Sequence, residues 1–272
     1  KPGPQGGKEG AFTALRPSFR ATERWPLADE NLRARRAEGF TVARLLPAEG
    51  AFRGEAALVS LGGGGIEENL LDTHAGQVLA FAASGNENTY PSATMGAVAL
   101  IRQTIADARW QRQARAAYAA GTLAERPPTN PDLAALEPLA TGGAKAIFAT
   151  GDLTDLLRAV RFAQELGLAA DFLGSGDEYR RLEEVRRTVS ALVLPVAFPG
   201  APQVDSTGQA LNVTLEKLRA WDLAPENPAR LHAAGVAFAL TADRLKDPGR
   251  FRRNVAAAIA RGLPEDAALA AL

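Results

Sequence analysis

Val236-Ala237-Phe238-Ala239-Leu240-Thr241-Ala242-Asp243 is the stretch on which the reading of this chain turns. An apolar run ends in a small polar residue and a carboxylate, and a helical pattern over 248–261 follows. That order describes a buried strand of a parallel sheet whose last residues emerge at the carboxyl edge. In α/β folds, sites are built at that edge. Asp243 therefore stands where a site would be built. The question is what the other strand ends place around it.

The rhythm around this stretch is regular from Gly143 onward. The pattern predicts strands over 146–150, 169–173, 191–196 and 236–241, and helices over 153–166, 178–187, 209–220 and 228–234, with two more helices at the end. Leu156, Leu157, Val160 and Phe162 mark the inward face of the first of these helices, and Gly167 supplies its C-cap. Strands alternating with helices imply βαβ units and a parallel sheet. At this length, part of a (β/α) barrel is favoured over an open doubly wound sheet. Further upstream the pattern predicts a short helix over 28–37 and strands over 40–46, 56–61 and 78–83, separated by Gly-rich or acidic turns. The longest helical signal covers 94–120, with Met95, Val98, Ile101, Ile105 and Trp110 at helix spacing. A Pro-rich connection over 126–132 follows, in which Pro131 suits the first turn of a short helix.

The 272 residues are 46% hydrophobic and 23% charged, enough for one large domain or two small ones. Lys plus Arg equals Asp plus Glu at 31 each, so the charge balance calls for neither nucleic acid nor an anionic membrane. Without cysteine there is no disulfide framework and no thiol chemistry. No apolar run approaches the roughly 18 residues of a membrane span. The Gly-, Pro- and Lys-containing opening reads as a flexible linker over 1–15, followed by a domain over 16–272, and the whole reads as a segment of a longer protein.

Specific motifs are few. Gly62-Gly63-Gly64-Gly65 follows a strand, but Glu67 stands where a dinucleotide fingerprint needs its third glycine, and Glu68 adds charge where phosphate would lie. It reads as a turn. Gly174-Ser175-Gly176 is a tighter strand-to-helix turn and a candidate ligand-facing edge. His74 and His232, the two histidines, lie far apart and neither has a second ligand at helix or strand spacing. His74 reads as an exposed turn residue and His232 as a helix-surface or boundary residue. No Ser-His-Asp set can be assembled. Asn212-Val213-Thr214 fits a glycosylation acceptor, a pattern common by chance.

Several segments together carry a family resemblance. They are Tyr90-Pro91-Ser92-Ala93-Thr94-Met95-Gly96-Ala97 with Ile101-Arg102-Gln103-Thr104 and Asp107-Ala108; Gly50-Ala51-Phe52-Arg53-Gly54 with Ala57-Leu58-Val59; and Leu231-His232-Ala233-Ala234-Gly235 running into the 236–243 stretch, then Phe251, Asn254, Ala258 and Gly262-Leu263. The chain from about Arg16 resembles the amidohydrolase superfamily, in the branch of imidazolonepropionase-related amidohydrolases. The resemblance implies a metal-dependent hydrolase on a TIM-type (β/α) barrel, here an incomplete one, and a secreted or periplasmic location. It also implies a metal set made of a His-x-His pair after the first strand, a Lys or Glu on a middle strand, a His on each of two later strands and an Asp on the last. Asp243 alone matches. Phe148-Ala149-Thr150 and Gly174 stand where later histidines would be expected. One carboxylate cannot hold a divalent ion tightly against water, and Phe and Gly are not ligands.

Three readings follow. The first is an amidohydrolase-like domain without a metal or other cofactor of its own, a scaffold or regulatory half beside an active amidohydrolase domain of the same longer chain. The second is a zinc-dependent hydrolase of non-peptide carbon–nitrogen bonds, with the missing ligands outside this segment or a reduced site using Asp243 with Asp177 or Glu178. The third is a binder of a neutral small molecule at a mouth formed by Thr150, Asp152, Ser175, Asp177, Tyr179 and Thr241.

Overall fold

The computed structural model describes residues 14–24, 29–84 and 88–272. The expected linker therefore lies outside the described residues except at its end. There Ala14 and Leu15 run along a strand: Ala14 O accepts the Ala51 and Phe52 amides at 2.9 and 3.0 Å, and Leu15 bridges Phe52.

In chain order the elements are α1 (Asp29–Ala37), β1 (Val42–Leu45), β2 (Phe52–Glu55), β3 (Ala57–Ser60), α2 (Ile66–Asn69), β4 (Leu70–Asp72), β5 (Gln77–Leu79), α3 (Thr94–Ala119), α4 (Pro131–Ala135), α5 (Glu137–Ala140), β6 (Ala146–Ala149), α6 (Leu153–Leu166), β7 (Ala170–Leu173), α7 (Leu182–Thr188), β8 (Ala191–Pro195), α8 (Thr207–Leu211), α9 (Leu215–Leu223), α10 (Asn227–Ala233), β9 (Ala237–Thr241), α11 (Phe251–Ala260) and α12 (Glu265–Ala270). They fall into two compact units. Of the described residues, one comprises 14–24, 42–84, 88–147 and 167–170; the other comprises 29–41, 148–166 and 171–272.

The first unit departs from the expected parallel pattern. β1, β3 and β4 form an antiparallel sheet, with Val42 opposite Ser60 and Leu58 opposite Asp72. β2 and β5 are antiparallel too, with Phe52 opposite Leu79. For β1, β3 and β4 the reason is connection length: parallel neighbours need a crossover of about a dozen residues or more, and residues 46–56 and 61–69 are too few to supply it. β2 and β5 are separated by residues 56–76, which hold β3, α2 and β4, so length does not set their direction. Gly54 is required by close approach: at φ +115 its Cβ would lie 2.3 Å from Phe19 O.

Of the apolar residues expected at helix spacing over 94–119, Ile101 and Ile105 lie on the buried face and Met95 and Trp110 do not. Ala97, Ile101, Thr104, Ile105, Ala108 and Gln111 form the inward stripe, whereas Met95 and Trp110 are exposed at 85% and 57%. α3 packs on α4 and α5. Buried Gln111 pairs its amide with the Asn130 backbone, donating to Asn130 O at 3.2 Å and accepting from Asn130 N at 3.1 Å. Asn130 caps α4 by accepting the Asp132 and Leu133 amides, with Pro131 in the first turn as expected.

The second unit carries the parallel ladder. β7 pairs with β8 through Leu173 and Val193, and β8 pairs with β9 from Ala191–Ala237 to Pro195–Thr241. α6 buries Leu156, Leu157, Val160 and Phe162, and Gly167 ends it at φ +66. Two other expected helices are broken. Residues 178–181 form a 3-10 turn before α7, and α8 and α9 are separate because Thr214 starts a new helix by capping the Lys217 amide. The expectation of a buried strand at 236–241 is corrected. Ala237 and Ala239 are exposed while Leu240 is buried, so side chains on one face of β9 are turned to solvent, and β8 is its one strand neighbour among the described residues. No closed barrel is found among the described residues. The fold is α/β with both antiparallel and parallel pairing.

Arginine–carboxylate pairs lace the helical surface of this unit. Glu226 is shared by Arg230 at 2.8 Å and Arg261 at 3.1 Å, and Glu184 by Arg161 at 2.7 Å and Arg181 at 3.0 Å. No described helix is long and apolar enough to cross a membrane.

Burial along α3 separates two substitutions by size of effect. Ile101→Ala is expected to cost about 3 kcal/mol by emptying a fully buried site, and Trp110→Ala within about 0.5 kcal/mol as a surface change. Urea unfolding of both variants measures the difference.

Candidate functional site

The carboxyl edge of the second unit gathers most of the residues singled out from sequence. β7 ends at Leu173, and the Gly174 amide continues the ladder by donating to Val193 O at 2.8 Å. The chain then turns through Ser175 and Gly176, the latter at φ +95. What fixes this turn is Glu178, whose side chain is fully buried. Its carboxylate accepts from the Ser175 amide, the Ser175 hydroxyl at 2.9 Å, the Gly176 amide at 3.1 Å and Asn227 Nδ2 at 2.6 Å. A buried carboxylate is tolerated only when donors replace its water, and here three N–H groups do, with the single Ser175 hydroxyl proton shared between Glu178 and Asp177. Asn227, itself buried on α10, returns a bond by accepting the Tyr179 amide at 2.8 Å. Glu178 is therefore engaged on all sides and is not open for a reduced metal site.

Gly174 belongs to the same construction. A Cβ there would lie 2.9 Å from Glu178 Oε1 and 3.2 Å from Leu194 Cδ1. The position the resemblance would give to a histidine thus has no room for a side chain while Glu178 is in place. Phe148, at the other such position, is buried and stacks on Phe172 with ring centroids 5.7 Å apart and meets Phe162 edge-on at 6.3 Å.

Around this knot, Asp177 pairs with Arg180 at 3.3 Å and accepts the Ser175 hydroxyl at 2.6 Å. The Asp177 hydrogen bond holds the Arg180 guanidinium pKa above its usual value. Burial raises the Tyr179 phenol above its ordinary value, and the Asp177 charge adds to the rise. Arg230 sits 5.8 Å from the Tyr179 ring centroid.

Asp243 lies at the end of β9 with its side chain 53% exposed. Its amide donates to Thr241 Oγ1 at 3.1 Å, and its carboxylate lies 3.6 Å from Nε of Arg244. Arg244 also donates to Thr150 O and, at 3.4 Å, to Ser175 O. Buried Thr150 turns its hydroxyl inward to Leu173 O. Thr150, Ser175, Thr241 and Asp243 are thus joined through one arginine and its neighbours. Asp152 stands apart and starts α6, accepting the Asp155 amide at 2.8 Å. His74 is an exposed turn residue bonded through its amide to Asp72, and His232 is exposed on α10.

The residues present do not fit a divalent metal. Among the described residues no three His, Cys, Asp or Glu side chains converge. Asp243 faces a guanidinium, and the neighbouring strand ends offer stacked rings and a glycine with no space beside it. Glu178, Asn227 and Arg244 are the residues that sequence reasoning did not assign these roles. Their significance comes from contacts across long sequence separations, and only the acidic cluster after Gly174-Ser175-Gly176 hinted at it.

No protein-family model and no curated protein matches this sequence. Among solved structures, an amidohydrolase from Thermotoga maritima MSB8 is similar with a TM-score of 0.73 and 21% identity, over 96% of this chain. The chain spans 66% of the length of that structure. The likeness supports an amidohydrolase-like α/β fold.

The knot makes a testable statement about stability. Glu178→Ala leaves buried donors without a partner and is expected to cost about 3 kcal/mol or more. Gly174→Ala, which pushes a methyl onto Glu178 and Leu194, is expected to cost about 1–3 kcal/mol. Thermal and urea unfolding of the two variants check both values.

Proposed function

We propose that this chain is an amidohydrolase-like domain that does not hydrolyse substrates on its own. It serves as a scaffold or regulatory half of a longer amidohydrolase protein, with an adjacent amidohydrolase domain of the same chain as its partner. The observation that carries the reading is the pairing of the strand-end carboxylate Asp243 with Arg244, at a rim where no three His, Cys, Asp or Glu side chains converge among the described residues. Metal-assisted hydrolysis needs an ion held by about three protein ligands with one position left for water. A guanidinium beside the lone carboxylate opposes such an ion by charge as well as by occupation.

The purified chain tests this directly. After dialysis against zinc and then against buffer, elemental analysis is expected to find far less than one zinc per chain. Added zinc is expected to give no hydrolysis of cyclic or linear amides. One tightly retained zinc per chain would end the proposal.

A second reading is favoured by the span of the chain, 66% of the similar amidohydrolase. In it, a metal-dependent hydrolase acting on non-peptide carbon–nitrogen bonds draws its remaining ligands from residues outside this segment. The longer protein then binds zinc and hydrolyses. Asp243→Asn in that longer protein abolishes hydrolysis without loss of folding, and unchanged turnover in that variant excludes this reading.

A further inference from the structure

Arg244 is the one non-glycine residue with a left-handed backbone, φ +63, among the described residues. A residue with a Cβ adopts that conformation at a cost. From it the guanidinium reaches three places at once: Thr150 O after β6, Ser175 O after β7, and the Asp243 carboxylate after β9. Two backbone carbonyls and a carboxylate, all acceptors, surround one planar donor. The set suits a guanidinium, whose N–H groups fan out in a plane. It does not suit a divalent metal, which would find a single charged ligand.

We infer that the strand-end mouth of the second unit is a guanidinium site filled by the protein's own Arg244. The side chain fastens three strand ends together, and its removal leaves the same oxygens able to take a free guanidinium-type cation. This goes beyond the proposed function, because it concerns which cation the rim is shaped for and not whether the chain hydrolyses anything. A wild-type chain found to hydrolyse would defeat that proposal and leave this one standing, since the readout here is thermal stability.

Arg244→Gly is the informative variant because glycine adopts the left-handed conformation without strain. If the side chain did nothing, the substitution would be neutral or stabilising. The expected result is a thermal midpoint lower by roughly 3–6 °C. Methylguanidinium at about 20 mM is expected to restore at least half of that loss in Arg244→Gly, by binding the native state. It is expected to leave the wild type unchanged, and methylammonium at the same concentration is expected to restore nothing. The inference is overturned if Arg244→Gly is as stable as the wild type, if methylguanidinium shifts both proteins alike or neither, or if methylammonium restores as much. Should Arg244→Gly not fold, Arg244→Lys carries the test. It keeps the charge but loses the planar fork, so a lowered midpoint supports the inference and a wild-type midpoint overturns it.

Discussion

A carboxylate without water organises the edge of the second unit. Glu178 is closed off from solvent and held by two backbone amides, a hydroxyl and a side-chain amide. An ionised group in that position is very costly unless every lone pair is answered. The turn after β7 must therefore take the one path that aims the Ser175 and Gly176 amides inward, and α10 must sit where Asn227 can reach. The empty flank of Gly174 follows from the same requirement, because the carboxylate occupies the space a side chain would need. Ser175 O then faces the position where Arg244 arrives from β9.

The rim that results is held by neutral and charged groups that satisfy one another. Thr150 spends its hydroxyl on Leu173, Ser175 on Asp177 and Glu178, and Asp152 on the start of α6. These three side chains are engaged within the protein, while the Asp243 carboxylate remains half exposed beside Arg244.

The second half of the chain was legible because its apolar spacing switches cleanly between the helix and strand periods. α6 with its Gly167 cap, the strand cores of β7 and β8, and the exposed histidine of α10 lie where the pattern put them. In the first half α1, β1, β3, β5, α3 and α4 also lie where the pattern put them, while three short elements and the strand directions were not read. β2, β4 and α2, three or four residues long, are the elements that the sequence pattern did not mark. Antiparallel pairing of β1, β3 and β4 depended on connection length. Met95 and Trp110 misled because bulk was mistaken for burial, while the small residues Ala97 and Ala108 mark the true inward face of α3. At the site, Asp243, Ser175 and Thr150 were visible as strand-end polar residues. The partners that give them meaning lie 49 residues away for Glu178 and Asn227 and 94 for Thr150 and Arg244, and no local pattern encodes such pairs.

The shared arginine–carboxylate pairs on the helices of the second unit bear on heat. Near room temperature an exposed ion pair adds little, because freeing the two charges from water offsets their attraction. That hydration weakens on warming, so networks in which one carboxylate serves two guanidinia, as Glu226 and Glu184 do, count for more in a hot solution than in a cool one. The helical surface of this unit is thereby better suited to elevated temperature than its core alone would make it.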